Sequence, residues 1–101
     1  MSEPACIEDT LVIEIADGWS AGAVAGRLLS ELGARVIKIE PPEGDRLRRT
    51  GPGRAGSSSA TFRNLNTNKE SLALDLSGSD GTRTLHDLAA CCDVLIADQT
   101  T

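Results

Sequence analysis

Residues 28–45 read LLSELGARVIKIEPPEGD. The stretch contains the end of an amphipathic helix, a glycine stop at Gly33, and a short β-branched strand over 35–40. The acid Glu40 and two prolines follow at once. This order of helix, stop and strand indicates an α/β fold, and the residues that leave the strand are candidates for holding a ligand.

The residues before this stretch complete a β-α-β unit. Residues 10–15, TLVIEI, predict a buried strand. Ser20 is a good N-cap, and apolar residues then repeat at helical spacing up to Leu32. Two strands joined by a helix within about thirty residues have the length of a right-handed parallel crossover unit.

The residues after Glu40 predict a long loop and then a second half of the sheet. Residues 41–57 are rich in Gly, Pro and Arg, which argues against any regular element there. The later predicted elements begin with a short helix over 58–65, capped by Ser58 or Ser59, and a strand over 71–76. A second helix follows, which begins with Ser77 and Asp80 in a variant capping box, and a last strand covers 93–97. The inner side of this second helix is formed by Leu85, Leu88, Ala89 and Cys92.

The element order β-α-β-loop-β-α-β predicts one Rossmann-like α/β segment over residues 1–101, a parallel sheet of about four strands with flanking helices. Residues 1–9 are expected to be a flexible leader. The chain ends four residues after its last predicted strand, without a terminal helix. An open sheet edge of this kind predicts self-association, so a homo-oligomer is expected.

Composition excludes several classes of function. The net charge of −5 and the presence of only two aromatic residues, Trp19 and Phe62, argue against nucleic acid as a partner. No apolar run is long enough to span a membrane, and the N-terminus lacks the features of a signal peptide, so we expect a cytoplasmic protein without a membrane partner. Cys6, Cys91 and Cys92 are expected to be reduced thiols rather than a disulfide or metal site.

Ligands of open parallel sheets bind beyond the carboxyl ends of the strands. The turn 16–22, the loop 40–57 and the turn 66–69 are expected to converge there. The helix after Ser20 offers N-terminal amides to a phosphate, although its glycines do not form a G-x-G-x-x-G motif and are equally consistent with close helix packing alone. Glu40 has the spacing of a ribose-binding acid, but the missing motif and the rigid Pro41-Pro42 argue against that role, and a solvated strand end is the alternative.

A cluster of arginines in the loop is the clearest candidate for anion binding. Arg46, Arg48, Arg49 and Arg54 lie within nine positions of an acidic chain. Arginine forks bind phosphate bidentately, so the cluster predicts an anion clamp, with an exposed solubilising loop as the alternative. Lys69 is expected to add a point charge at the same edge.

No credible set of catalytic residues or metal ligands is evident. His86 is the only histidine and is expected to be solvated on the outer side of its helix. Asp17, Asp75 and Asp98 have no evident partner, and no metal-ligand spacing is present. The residues therefore predict binding rather than catalysis.

Two longer runs carry a family resemblance. Residues 21–49, AGAVAGRLLSELGARVIKIEPPEGDRLRR, and residues 65–97, LNTNKESLALDLSGSDGTRTLHDLAACCDVLIA, resemble the N-terminal part of the family III CoA transferases, a group of the CaiB/BaiF type that includes formyl-CoA transferase and α-methylacyl-CoA racemase. The resemblance implies a coenzyme A-binding segment, truncated relative to the family, within a longer chain whose two copies interlock.

The resemblance also implies where coenzyme A would be contacted: at Ser20, Ala21, Pro41, Leu65, Asn66, Asn68 and Lys69. Many members have an arginine where Pro41 stands, so Arg46 or Arg48 is expected to substitute for it. The family's E-N-F-R-P-G is replaced by residues 97–101, ADQTT. The family's catalytic aspartate, which forms a mixed anhydride with the acyl group, lies downstream and is not Asp98.

The resemblance implies transfer of CoA between carboxylic acids by the full-length enzyme, with CoA or an acyl-CoA thioester as the ligand and no metal. An acyl-CoA racemase is one alternative. A stand-alone, non-catalytic nucleotide-binding or interaction module is another. In each case the 101 residues alone are expected to lack transferase activity.

Overall fold

The computed structural model describes residues 7–18, 20–49 and 60–98. Four strands are present: β1 (Leu11–Ala16), β2 (Arg35–Glu40), β3 (Glu70–Ala73) and β4 (Val94–Asp98). The helices are α1 (Ala21–Glu31), a 3₁₀ helix (Arg46–Arg49), α2 (Ala60–Leu65) and α3 (Ser79–Cys91).

The four strands form one parallel sheet in the order β3-β2-β1-β4. In its centre Ile13 of β1 pairs with Ile37 of β2 and with Leu95 of β4. This is the order of the first four strands of a doubly wound sheet. The predicted fold class is therefore confirmed.

The sheet buries two different faces. On one face Ile13, Ile15 and Ile39 pack against the inner side of α3 through Leu85 and Leu88. The opposite face packs on α1 and α2, with Val12 and Val36 at its amino end and Ala16 beside Ala23, Phe62 and Leu65 at its carboxyl end. Buried charged residues occupy this second face between the two apolar clusters.

The capping residues predicted for α1 are confirmed. Ser20 Oγ accepts a hydrogen bond from the Ala23 amide at 3.2 Å, and the helix ends at Glu31 with Leu32 as its C-cap. Gly33 follows with a φ of 107°, a left-handed conformation that glycine adopts without strain. Strand β2 has the predicted bounds.

Three boundary predictions are wrong. Strand β3 ends at Ala73 rather than at 76, because Asp75 accepts hydrogen bonds from Ser77 and turns the chain. Helix α3 therefore begins at Ser79, after Gly78, which makes no side-chain cap. The loop predicted over 41–57 contains the 3₁₀ helix, whose Leu47 amide donates to the Asp45 carboxylate.

Some predictions fall on residues outside the described ranges. These are the leader up to residue 6 with Cys6, the loop over 50–57 with Arg54, the caps Ser58 and Ser59, and Trp19. Cys91 and Cys92 are free thiols. None of the helices in the described parts of the chain has the length and apolar character needed to cross a membrane.

Candidate functional site

A cavity of about 580 Å³ lies at the carboxyl ends of β1 and β2 and beside the exit of β3. Ile15, Ile39, Leu74 and Leu76 give it apolar walls. Its polar lining consists of Asp17, Glu40, Glu43, Asp75 and Ser77, with Pro41 and Pro42 between them. The cavity thus occupies the edge at which parallel sheets bind ligands.

Glu40 at the end of β2 is buried, with only 3% of its surface exposed. Its carboxylate accepts two hydrogen bonds from the Arg48 guanidinium, at 2.7 and 2.8 Å, and further ones from Ser71 Oγ and the Asp45 amide. Burial acts to raise the pKa of Glu40, but these hydrogen bonds outweigh it and lower the pKa to about 2. The interpretation of Glu40 as a solvated strand end is therefore wrong.

A chain of four buried charges crosses the sheet face beneath α1. Lys69 Nζ lies 2.7 Å from Glu14 Oε1, and Lys38 Nζ lies 3.3 Å from Glu14 Oε2. Lys38 Nζ also lies 2.7 Å from Asp45 Oδ2. All four side chains are at most 1% exposed, and two ammonium groups balance two carboxylates. We call this set, Lys69, Glu14, Lys38 and Asp45, the buried charge chain.

The buried charge chain reaches the carboxyl edge through Asp45. Asp45 Oδ1 accepts hydrogen bonds from the amides of Gly18 and Leu47, both at 2.8 Å. Burial acts to raise the pKa of Asp45, but the contact with Lys38 and the amide hydrogen bonds outweigh it, so the pKa is lowered. The turn after β1 is therefore tied to the segment after β2.

Two of the N-terminal amides of α1 already have side-chain partners. The Gly22 amide donates to Asp98 Oδ2 at 2.6 Å, and the Ala23 amide donates to Ser20 Oγ. Asp98 at the end of β4 thus places a carboxylate where a helix N-terminus would attract an external anion. Ser20 and Ala21 lie at the start of α1, next to this contact.

The arginines after β2 differ in exposure. Arg48 stacks on the Phe62 ring at 4.0 Å from its centroid and is ion-paired to buried Glu40. Arg46 has a side chain 69% exposed and pairs with half-buried Asp17, at 3.1 Å. Its guanidinium lies over Gly18, three residues before the start of α1. The structure therefore brings Arg46, rather than Arg48, to the open side of the edge.

The turn 66–69 does not lie at the carboxyl edge. It precedes β3, and β3 is parallel to β2, so the turn enters the sheet at its amino edge. Lys69 connects this turn to α1, because its ammonium donates hydrogen bonds to Ala23 O and to Asn66 Oδ1. Burial outweighs the opposing effect of Glu14 and lowers the pKa of Lys69. The expected convergence of three segments is therefore wrong for this one.

The remaining residues of that turn have distinct positions. Leu65 is buried with Ala16 and Ala23, whereas Asn68 is exposed with a φ of 68°. The Asn66 amide nitrogen donates to Phe62 O. The Lys69 ammonium points inward and is buried against Glu14, so it would affect a ligand indirectly, through the residues that it holds in place.

Sequence reasoning missed the inner charges Glu14 and Lys38. The signal was present in TLVIEI and RVIKIE, because alternate residues of a strand share a face, and Glu14, Lys38 and Glu40 fall on the same face as Val12 and Val36. Charged residues in the middle of buried strands indicate partners from other segments.

The described residues contain no group of three His, Cys, Asp or Glu side chains that could hold a metal ion. His86 is exposed on α3, as expected. Of the three aspartates without an evident partner, Asp17 pairs with Arg46, Asp75 binds Ser77, and Asp98 binds the Gly22 amide.

Comparison with known proteins finds relatives that are CoA-transferases. The chain is 41% identical over 91 residues to a cinnamoyl-CoA:phenyllactate CoA-transferase of Clostridium sporogenes, a match that covers 86% of this chain and 22% of that protein. It is 40% identical over 77 residues to the human succinyl-CoA:glutarate CoA-transferase, covering 75% of this chain and 18% of that protein.

Solved structures agree in fold. A CAIB/BAIF family protein from Brucella suis superimposes with a TM-score of 0.86 at 34% identity, over 94% of this chain and 26% of that one. The chain therefore spans only 18% to 26% of the length of these relatives. The model of CoA-transferase family III matches residues 7–101. This chain belongs to CoA-transferase family III.

Proposed function

We propose that this chain is the coenzyme A-binding segment of an enzyme that moves CoA between carboxylic acids. The observation that carries the proposal is the cavity at the carboxyl ends of β1 and β2 in a chain of this family. The cavity offers apolar walls for a nucleobase, and Arg46, which pairs with the lining residue Asp17, offers a fork for phosphate.

The proposed contacts are those expected from the sequence: Ser20, Ala21, Pro41, Arg46, Arg48, Leu65, Asn66, Asn68 and Lys69. Their geometry supports different roles. Arg46 is an exposed cation at the edge and is the proposed phosphate ligand. Arg48 and Lys69 hold buried carboxylates, so we assign them to supporting the site rather than to direct charge contact.

The relatives support transfer over racemisation. The two named relatives are a cinnamoyl-CoA:phenyllactate and a succinyl-CoA:glutarate CoA-transferase, and both names describe exchange of CoA between acids. We infer the same reaction class for the full-length enzyme, with the acyl step carried out by a downstream aspartate as the family resemblance implies. A racemase and a non-catalytic module are the alternatives. An assay of the full-length enzyme with paired acids tests the proposal: CoA exchange between the acids supports a transferase, and its absence favours one of the alternatives.

Self-association is a further part of the proposal. Strand β4 is an edge of the described sheet, and Val94 and Leu95 on it are 37% and 49% exposed. Exposed apolar side chains on an edge strand support pairing with a second copy.

Isothermal titration calorimetry with CoA, pantetheine and NAD tests the binding. We expect CoA to bind, and pantetheine, which lacks the nucleotide, to bind more weakly. Arg46→Ala should weaken CoA binding by about fivefold or more, the effect of losing a charge-assisted contact. The matched control is Arg83→Ala, an exposed arginine of α3. No heat with CoA, or tighter binding of NAD, would overturn the proposal.

A further inference from the structure

We propose that Asp45 is a positioning residue that fixes the two ligand-facing segments relative to each other. These segments are the β1–α1 turn, of which residues 17, 18 and 20 are described, and the β2 exit, residues 41–49. The inference rests on the proposed CoA site, because both segments carry its proposed contacts.

One oxygen of Asp45 joins the two segments. Its Oδ1 accepts hydrogen bonds from the Gly18 amide of the β1–α1 turn and from the Leu47 amide of the β2 exit, each at 2.8 Å. Gly18 and Asp45 are 27 residues apart in sequence. Because these two groups are far apart in sequence, their hydrogen bond connects two loops whose relative position the strands alone do not fix.

The other oxygen of Asp45 is held from below. Lys38 Nζ lies 2.7 Å from Asp45 Oδ2 and donates to Ala16 O at 2.7 Å. The ammonium therefore fixes both the end of β1 and the carboxylate above it. Because Lys38 and Asp45 are 1% exposed, water does not compete for these contacts.

The position of Arg46 follows from that of Asp45. The Arg46 amide donates to Asp17 Oδ1 at 3.0 Å, and its guanidinium lies over Gly18, where a Cβ would be 3.0 Å from Nη2. Gly18 has a φ of 77°, which it can adopt because it has no Cβ. Asp45 thus holds the turn on which Arg46 rests.

Asp45 acts through these neighbours rather than on the ligand. Its side chain is 1% exposed, and a carboxylate would repel a phosphate. Its effect on affinity is therefore expected to run through the Gly18 hydrogen bond, which can be removed separately from the buried charge.

Two double variants separate the hydrogen bond from the charge pair. In both, Lys38→Met removes the buried ammonium, and Glu14 keeps Lys69 as its partner. Lys38→Met with Asp45→Asn retains an oxygen that can accept the Gly18 amide, whereas Lys38→Met with Asp45→Ala does not. The two variants are compared by CoA titration calorimetry and by the ¹⁵N-resolved chemical shift of the Gly18 amide proton.

We expect the Asn variant to bind CoA within about threefold of wild type and to keep a downfield Gly18 amide. The Ala variant loses both hydrogen bonds to Oδ1, from the Gly18 and Leu47 amides, so it should bind about tenfold more weakly, and its Gly18 amide should move upfield. Equal CoA affinity of the two variants, or affinity that follows melting temperature instead of the Gly18 shift, would overturn the inference.

Wild-type protein provides a second readout that needs no variant. The Gly18 amide should exchange with solvent slowly, as a buried hydrogen-bonded donor does, and fast exchange would overturn the inference even if the variants fail to fold. Failure of the proposed function is distinguishable: CoA would then not bind wild type, while the Gly18 amide would still be protected.

Discussion

A Cβ placed on Gly26 of α1 would lie 1.8 Å from Oε1 of Glu14 on β1. The carboxylate cannot simply swing aside, because it is fully buried and lies between the ammonium groups of Lys38 and Lys69. Gly26 is therefore the position at which the helix backbone approaches the buried charge chain.

Gly26→Ala is accordingly expected to destabilise the protein despite the better helix propensity of alanine. Overpacking together with a disturbed buried ion pair should cost at least about 3 kcal/mol of unfolding free energy. Chemical denaturation measures the loss. Gly78→Ala is the matched control, since its added Cβ would meet only ordinary contacts at 3.7 Å or more. A Gly26→Ala protein as stable as wild type would contradict the arrangement.

Truncation of Arg48 should destabilise the protein much more than truncation of Arg46. Arg48→Ala leaves the Glu40 carboxylate buried without its guanidinium, so we expect a loss of about 3 kcal/mol or more in unfolding free energy. Arg46→Ala removes an exposed pair, which is worth about 0–1 kcal/mol. Parallel urea titrations of the two variants test this. Equal losses would show that the Glu40 ion pair is not the structural one.

Stability should fall in acid because of Glu40. Its folded pKa of about 2 lies below the ordinary value of 4.5, so the stabilisation is complete above pH 4.5 and is lost as the pH falls towards 2. The shift corresponds to about 3 kcal/mol at most. Glu40→Gln should remove this part of the pH dependence of unfolding free energy. Glu70→Gln, at an exposed pair with Arg35, should leave most of it, and identical acid profiles for wild type and Glu40→Gln would refute the assignment.

Asp98 is expected to weaken binding of anionic ligands. Its carboxylate accepts a hydrogen bond from the Gly22 amide at the start of α1, where the helix dipole favours negative charge. Asp98→Asn can keep the hydrogen bond while it removes the charge. We expect a two- to fivefold tighter binding of CoA, about the value of one charge at a helix terminus, by calorimetry. Asp87→Asn on α3 is the control, and weaker binding by Asp98→Asn would contradict the prediction.

Self-association should depend on the exposed apolar residues of the β4 edge. Leu95 is 49% exposed there, and Leu95→Lys introduces a charge of the kind that blocks strand pairing. Sedimentation velocity over a concentration series should show association of wild type and its reduction in the variant. A wild-type protein that stays monomeric at the highest concentration would rule out this mode.

The sequence was sufficient for the elements whose signals are local. Ser20 and Gly33 delimit α1, and the β-branched run Arg35–Glu40 has the bounds of β2. Periodicity and capping depend on neighbouring residues, so they can be interpreted without knowledge of the fold.

The site was less predictable because its contacts join distant segments. Asp45 and Gly18, or Lys69 and Glu14, have no local signal that pairs them. The expected place of the turn 66–69 was wrong because the direction of β3 decides which edge that turn occupies. The assignment of Arg48 changed for a different reason, because its partner Glu40 is buried.

The buried charge chain also has a consequence for how sequences of this kind diverge. Each of its four members neutralises another from a separate segment, so loss of one charge leaves an unpaired ion in the interior. Drift at these positions should therefore proceed by correlated replacement: a homologue with a neutral residue in place of Glu14 should also lack one of the two lysines, and one without Asp45 should lack Lys38.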